Sequence, residues 1–493
     1  MELPNPLIPG FHPDPSVVQV GDDYYLATST FEYRPGIPIF HSRDLTDWTL
    51  ISHVVTRPGQ QQLLGVPTGG GIWAPTIRWR DGVFYLIVAD AMGRGMLLFT
   101  ATDPAGAWSD GMPLTGFSGI DPDIAWGDDG TCYVTYSGLL LQGPDTKHLG
   151  IQQVRFDLEA GRATEEPRSV WSGTGLMFPE APHLYRIGSW WYLVIAEGGT
   201  ERGHSVSVAR STSPAGPFVG CPANPVLSAR STDRPIQNTG HADLVRAPDG
   251  SWHLVLLGMR TKGMTRSFSP LGRETFATSV QWVDEWPDVR PVTLTAGVTA
   301  PTFVDEFTAD VLGGEWIAVR RFPADIAVVV EGSLVLAGEG RTMAHEQPTF
   351  VGRRQRRLDA RVTASIDRCT GVGGLTVRYD EEHHYDIEID GDDIVARASV
   401  PTITTEHRGT RPNGTIVLFA EMTPPPPSRY SWMTCDMIQF GYESEDGSRT
   451  VVGAFDGRSL SAETACSFTG RVIGLYSVSG ELRCSQYAEQ GLP

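Results

Sequence analysis

Asp14-Pro15-Ser16-Val17-Val18-Gln19-Val20-Gly21-Asp22-Asp23-Tyr24-Tyr25 reads as a short apolar strand, a Gly/Asp turn and the start of an aromatic strand. It decides the fold because it recurs. Equivalent phrases run from Ala74-Pro75 to Phe84-Tyr85, from Asp121-Pro122 to Cys132-Tyr133, from Ala181-Pro182 to Trp191-Tyr192 and from His241-Ala242 to Trp252-His253. Successive copies start 60, 47, 60 and 60 residues apart. A repeat of about 40–60 residues built from strands rather than helices indicates a β-propeller, each copy being one four-stranded blade. Five copies predict a five-bladed β-propeller.

The turns between these strands carry hairpin chemistry. Asp22-Asp23, Asp81-Gly82, Asp128-Asp129-Gly130 and Asp249-Gly250 supply the positive φ that tight turns require. Weaker echoes such as His41-Ser42-Arg43-Asp44-Leu45 and Ala209-Arg210-Ser211-Thr212-Ser213 suit the outer strands. The Gly/Gln-rich stretch from Pro58 to Gly71 is too irregular for a strand and suits a cleft rim. The propeller is expected over residues 1–292 and a Thr/Ala-rich linker over 293–302. From Phe303 to Pro493 a new alternation begins, in Ser333-Leu334-Val335-Leu336, Gly374-Leu375-Thr376-Val377 and Arg471-Val472-Ile473-Gly474. That pattern predicts a two-sheet antiparallel β-sandwich, making the whole chain all-β. Pro424–Pro427 reads as a stiff polyproline segment.

At 493 residues, two domains are the natural expectation. A net charge of −19 argues against nucleic acid and anionic membranes as partners, because both need basic patches. A neutral ligand such as a small oligosaccharide is compatible, and homo-oligomerisation stays open. No apolar run approaches the roughly 18–20 residues of a membrane span. The six cysteines (Cys132, Cys221, Cys369, Cys435, Cys466 and Cys484) form no CxxC pair. With no secretory signature at Met1-Glu2-Leu3-Pro4, they read as reduced thiols of a cytoplasmic protein.

Equivalent positions in the innermost strands of a propeller all face one central funnel. The repeat puts Asp14, Asp121 and His241 there, with Glu180 beside the equivalent Ala181. Carboxylates are rarely buried unless they are paired or working, and three at one mouth suit glycoside hydrolysis. One protonates the leaving oxygen, a second activates water from the opposite face, and a third tunes the first. The apolar and proline neighbours of Glu180 favour its protonated form, as a general acid needs. In an inverting enzyme the acid and base stand about 6.5–9.5 Å apart, to admit the water. Phe31 and Trp73 offer aromatic faces to a sugar ring, and Arg273 a forked pair of donors. Each also has a plain structural reading, as core packing or an ion pair.

These segments resemble glycoside hydrolase family 43, in its β-xylosidase/α-L-arabinofuranosidase branch with a C-terminal sandwich. The resemblance runs through Asn5-Pro6 to Pro15-Ser16, Gly71 to Pro75, Ile120-Asp121-Pro122, Glu180 with Pro182-His183-Leu184-Tyr185, Ile236 to Leu244, and Leu271 to Thr275. It continues through Gly352-Arg353-Arg354-Gln355 and Phe468-Thr469-Gly470. It implies hydrolysis with inversion, Asp14 as general base, Glu180 as general acid, and Asp121 tuning and orienting that acid. Arg273, Phe31 and Trp73 would line the subsite of the non-reducing sugar. No cofactor is required, although His241 resembles an axial histidine associated in some relatives with a central calcium. Ile120-Asp121-Pro122-Asp123 departs from the family's more usual Phe-Asp-Pro-Ser. The expected activity is exo-acting release of xylose or arabinofuranose. Its rivals are an endo-arabinanase-like or fructan-cleaving enzyme, and a carbohydrate-binding propeller without turnover.

Overall fold

The computed structural model describes residues 3–140, 147–263, 267–428, 431–465 and 468–492. They are nearly all β. Among the described residues, five small antiparallel sheets of four or five strands follow one another, from Ser16–Val20 to Trp286–Val289. Each opens on a hairpin that matches one copy of the repeat: Ser16–Val20 with Asp23–Ala27, Gly71–Arg80 with Val83–Ala91, Ile120–Trp126 with Cys132–Leu140, Glu180–Ile187 with Trp190–Glu197, and Ile236–Arg246 with Trp252–Arg260. The first turn lies one residue earlier than expected. Gly21 takes the positive φ of 61° and Asp23 already belongs to the strand, since glycine adopts that backbone without steric cost.

Apolar side chains pack between neighbouring sheets in cyclic order. Ile39 and Leu86 join the first sheet to the second, Ile87 and Val134 the second to the third, and Ala125 and Leu193 the third to the fourth. Val194 and Leu256 join the fourth to the fifth, and Val255 and Leu26 return the fifth to the first. The N-terminal segment completes this last junction. Leu7 N donates to Thr275 O at 2.9 Å, and the Asn5 side chain exchanges two 2.8 Å hydrogen bonds with the Ala277 backbone.

Where the five sheets converge, a buried polar network links them. Arg78 of the second sheet reaches Asp123 of the third at 3.1 Å and Asp243 of the fifth at 2.9 Å. Its Nη2 also lies 2.9 Å from His183 Nδ1 of the fourth. Ser16 of the first sheet donates to Asp243 at 2.7 Å, and Tyr185 OH donates to the same carboxylate. Asp123 and Asp243 are fully buried. A buried carboxylate needs such partners, because the desolvation of an unpaired one costs several kcal/mol.

After Val289 no strand occurs until Phe303–Asp305. The intervening segment stays on the first half, through hydrogen bonds between Thr295 and Asn5. Beyond it, two antiparallel sheets of eight and six strands enclose one apolar core, with Val362, Leu418 and Phe440 from one and Leu375, Ile387 and Ile473 from the other. The expected sandwich strands are present, usually longer than the sequence pattern suggested: Ser333–Ala337, Ala360–Cys369, Val372–Arg378, His384–Asp390 and Val472–Ser479. Pro424–Pro427 follow strand Ile416–Thr423 outside any strand. The two halves share structure, for Tyr33–Arg34 pairs with Ala318–Val319, and Phe11 and Tyr33 pack with Val319, Phe350 and Tyr476.

Replacing Arg78 with Met leaves Asp123 and Asp243 buried without their cation. The expected loss is about 3–5 kcal/mol of unfolding free energy, measured by urea denaturation. Adding Asp243→Asn to that variant should restore part of it.

Candidate active site

Four of the five copies of the repeat place their front residue in left-handed backbone. Asp14, Asp121, Ala181 and His241 have φ of 56°, 50°, 51° and 49°. In the second to fifth sheets the inner strand also slips register here, between Trp73 and Thr76, Ile120 and Asp123, Glu180 and His183, and Gly240 and Ala242. A bulge turns a side chain out of the pleat. Here it brings Asp121, Glu180 and His241 into one group with Asp14, which lies just before its own strand.

Asp14 is buried and strongly held. Ser29 Oγ donates to it at 2.5 Å, Arg273 Nη1 donates at 3.0 Å, and His241 Nδ1 lies 3.5 Å away. Burial opposes its ionisation, but the positive charge of Arg273, the His241 ring and the Ser29 hydrogen bond outweigh it, and its pKa falls below the usual carboxylate value. Glu180 moves the other way. Burial and the neighbouring charges of Asp121 and Asp14 push its pKa well up, against the pull of Arg273. Asp121 is also raised, by burial and then by Asp14, while the Ala181 N–H, 3.1 Å from Oδ2, partly offsets this. The cluster thus contains one carboxylate held ionised beside two that resist ionisation together. A base and an acid in one pocket require that split.

Burial lowers the pKa of His241 to about 4, with Asp14 opposing, so the ring is neutral near pH 7. Calcium takes about six to eight oxygen ligands. His241 instead offers a nitrogen beside Asp14, and among the described residues no three His, Cys, Asp or Glu side chains converge as a metal site. Arg78 already engages the axial carboxylates Asp123 and Asp243.

The remaining wall is aromatic, and part of it comes from the sandwich. Phe468 stacks on Phe31 at 6.0 Å between centroids and meets Trp73 edge-on at 5.7 Å. The Arg273 guanidinium lies 5.6 Å from the Phe31 ring centre and 5.3 Å from that of Phe468. It also donates to Thr200 Oγ1 at 3.1 Å and to Phe468 O at 3.3 Å. Trp73 is oriented by a 2.7 Å hydrogen bond to Gly69 O, which places the irregular Pro58–Gly71 stretch in this wall. All seven residues singled out in the sequence therefore meet in one place.

Two stretches of the chain match known families over most of its length. Residues 3–287 match Glycosyl hydrolases family 43, and residues 304–490 match the Beta xylosidase C-terminal Concanavalin A-like domain. This chain belongs to glycosyl hydrolase family 43. A non-reducing end alpha-L-arabinofuranosidase of Bacteroides ovatus is 36% identical over 96% of this chain and 90% of that protein. A beta-xylosidase of Bacillus subtilis is 30% identical over 96% of each. The crystal structure of a xylan beta-1,4-xylosidase from Bacillus halodurans superposes with a TM-score of 0.88 at 27% identity, covering 99% of this chain and 100% of that one. As a family 43 member the protein is a glycoside hydrolase.

Several residues of this family 43 site carried no role in the sequence reading. Phe468 was visible only as part of a family motif. His204 is buried beside His241 and Arg273, and burial lowers its pKa to about 3. No repeat or motif flags it, nor Thr200 or Ser29. Phe468 is fixed by close backbone packing, because a Cβ on Gly272 would stand 2.2 Å from Thr469 O. Gly272 has φ 69°, so glycine is required there twice over.

Gly272→Ala should lower stability by about 1–3 kcal/mol and cut activity, by displacing Phe468 from Arg273. Gly297→Ala is the control, since Gly297 has φ 78° and open space around it. It should show only the backbone cost in thermal unfolding, with activity intact.

Proposed function

We propose that this protein is an inverting, exo-acting pentosidase that releases xylose or arabinofuranose from the non-reducing ends of short oligosaccharides. The reading is carried by the split ionisation of one carboxyl cluster, Asp14 low and Glu180 high, beneath the Arg273–Phe31–Phe468 wall. The names of the relatives supply the sugar class: arabinofuranosidase for the Bacteroides ovatus protein and β-xylosidase for that of Bacillus subtilis. The aromatic contribution of the sandwich favours a closed pocket over an open cleft, and so exo-action. The architecture goes with it. The five sheets are read as blades of a five-bladed propeller over residues 1–292, joined by 293–302 to a sandwich over 303–493. The five described cysteines are unpaired, which suits the reducing compartment expected from the sequence.

In this scheme the Asp14 carboxylate removes a proton from water as the water oxygen attacks the anomeric carbon. Glu180 donates its proton to the departing glycosidic oxygen, and the configuration at the anomeric carbon inverts. Asp121 keeps Glu180 protonated by its charge and orients it through the Ala181 backbone. Arg273 holds Asp14 ionised and presents its remaining donors to sugar hydroxyls. Phe31, Trp73 and Phe468 stack on the ring, while His241 positions Asp14.

Asp14→Asn should lower turnover on xylobiose or an arabinofuranosyl oligosaccharide by about 10²–10⁴-fold. Glu180→Gln should do the same, and proton NMR of the wild-type reaction should show the inverted anomer first. Retention, or near-wild-type turnover in either variant, would reject the assignment.

The pH profile tests the tuning. Activity needs Glu180 protonated and is lost as pH rises through its raised pKa. Asp121→Asn removes a negative neighbour, so that pKa falls. The basic limb of kcat/KM should then move to lower pH, a displacement that a merely structural residue would not produce.

A further inference from the structure

On the far side of the Asp14 segment, a cleft of about 820 Å³ separates the N-terminal segment from the sandwich. Although the chain carries a net charge of −19, five arginines line this cleft: Arg260, Arg353, Arg354, Arg356 and Arg357. Three have carboxylate partners. Arg260 pairs with Glu274 at 2.7 Å, Arg353 with Glu315 and Glu489, and Arg356 with Glu489 at 3.5 Å.

Arg354 and Arg357 do not. Arg354 is 7% exposed, and among the described residues its guanidinium has no hydrogen bond or ion pair; its Nε and Nη2 are buried without partners. Its one specific contact is the face of Phe11, 4.6 Å from the guanidinium carbon. Glu315, whose charge reaches it, is taken up by Arg353. Among the described residues, the Arg357 guanidinium donates to the Ala300 carbonyl and has no carboxylate partner. The three acids in the lining are Glu315, Asp359 and Asp47. Asp359 is held by Lys262 at 2.5 Å, and Asp47 is exposed to solvent.

A buried guanidinium without a counter-charge is strongly unfavourable. Arg354 is such a group, and with the half-buried Arg357 beside the same cleft it calls for an anion from outside; planar guanidinium forks match the oxygens of a phosphate in bidentate fashion. Trp48, Phe40 and Leu7 add apolar side chains to the lining. We propose that this cleft binds a phosphate-class oxyanion, free or carried on a sugar, between Arg354 and Arg357. Burial lowers the Arg354 pKa to about 10, as expected of a cation awaiting its partner. The cleft also touches the catalytic side, for His12 lines it and His12 N donates to Arg273 O at 3.0 Å.

The full-length protein should be titrated with inorganic phosphate and with ribose 5-phosphate, against chloride at matched ionic strength. Calorimetry and thermal unfolding are the readouts. A saturable rise in Tm is expected, with a dissociation constant weakened about tenfold or more in Arg354→Met and in Arg357→Gln. Both variants should keep wild-type glycosidase turnover, which shows that they fold. A stronger response to ribose 5-phosphate assigns the site to phosphorylated sugars, and equal responses assign it to the free ion. No saturable response in the wild type, or one of equal size in Arg357→Gln, would overturn the proposal even if Arg354→Met does not fold.

Discussion

One guanidinium stands where the five small sheets meet. Arg78 takes Asp123 on one side and Asp243 on the other, while His183 Nδ1 lies beside the guanidinium and Ser16 and Tyr185 donate to Asp243. Each sheet contributes at least one member, so the network assembles only when all five are in place. Apolar packing between neighbouring sheets is tolerant of small slips. A buried ion network is not, because a half-satisfied one is worse than none. The front residues of the inner strands lie in the same strands as this network, and it therefore fixes where they point.

The placement of the acids follows from backbone geometry as much as from side chains. Left-handed residues followed by a register slip recur at Asp121, Ala181 and His241, and Asp14 shares the left-handed backbone. In the fourth sheet the acid is displaced by one position, because Ala181 takes the repeated conformation and its N–H binds Asp121. That displacement puts Glu180 beside Asp121 and gives it neighbours that raise its pKa. Asp14 faces Arg273 instead. The same repeat thus yields two electrostatic environments a few residues apart in space.

How much of this was legible in the sequence depends on range. The hairpins, the sandwich strands and the meeting of Asp14, Asp121, Glu180 and His241 could be read, because a repeat reports equivalent positions without any knowledge of distant contacts. Arg78 and His204 could not: the other copies of the repeat carry no arginine where Arg78 stands, and its partner Asp243 lies 165 residues away along the chain, while His204 falls outside every copy. Phe468 was legible as a motif but not as part of a wall, because its place depends on Gly272 and Thr469 touching across two halves of the molecule. Hydrophobic periodicity says which face of a strand is buried. It does not say which other sheet will cover it.

The coupling between the halves has a chemical consequence. Arg273 carries the charge that keeps Asp14 ionised, and the sandwich holds Arg273 through the Phe468 carbonyl and ring. Aromatic faces on both sides reduce the water around that guanidinium, and a charge in a drier surrounding acts more strongly on its neighbours. The sandwich is thereby part of the electrostatics of the carboxyl cluster, not only a cover for it. Severing the Phe468–Arg273 contact would then alter the ionisation of Asp14 as well as the shape of the pocket, so the two effects should appear together whenever the halves are pulled apart.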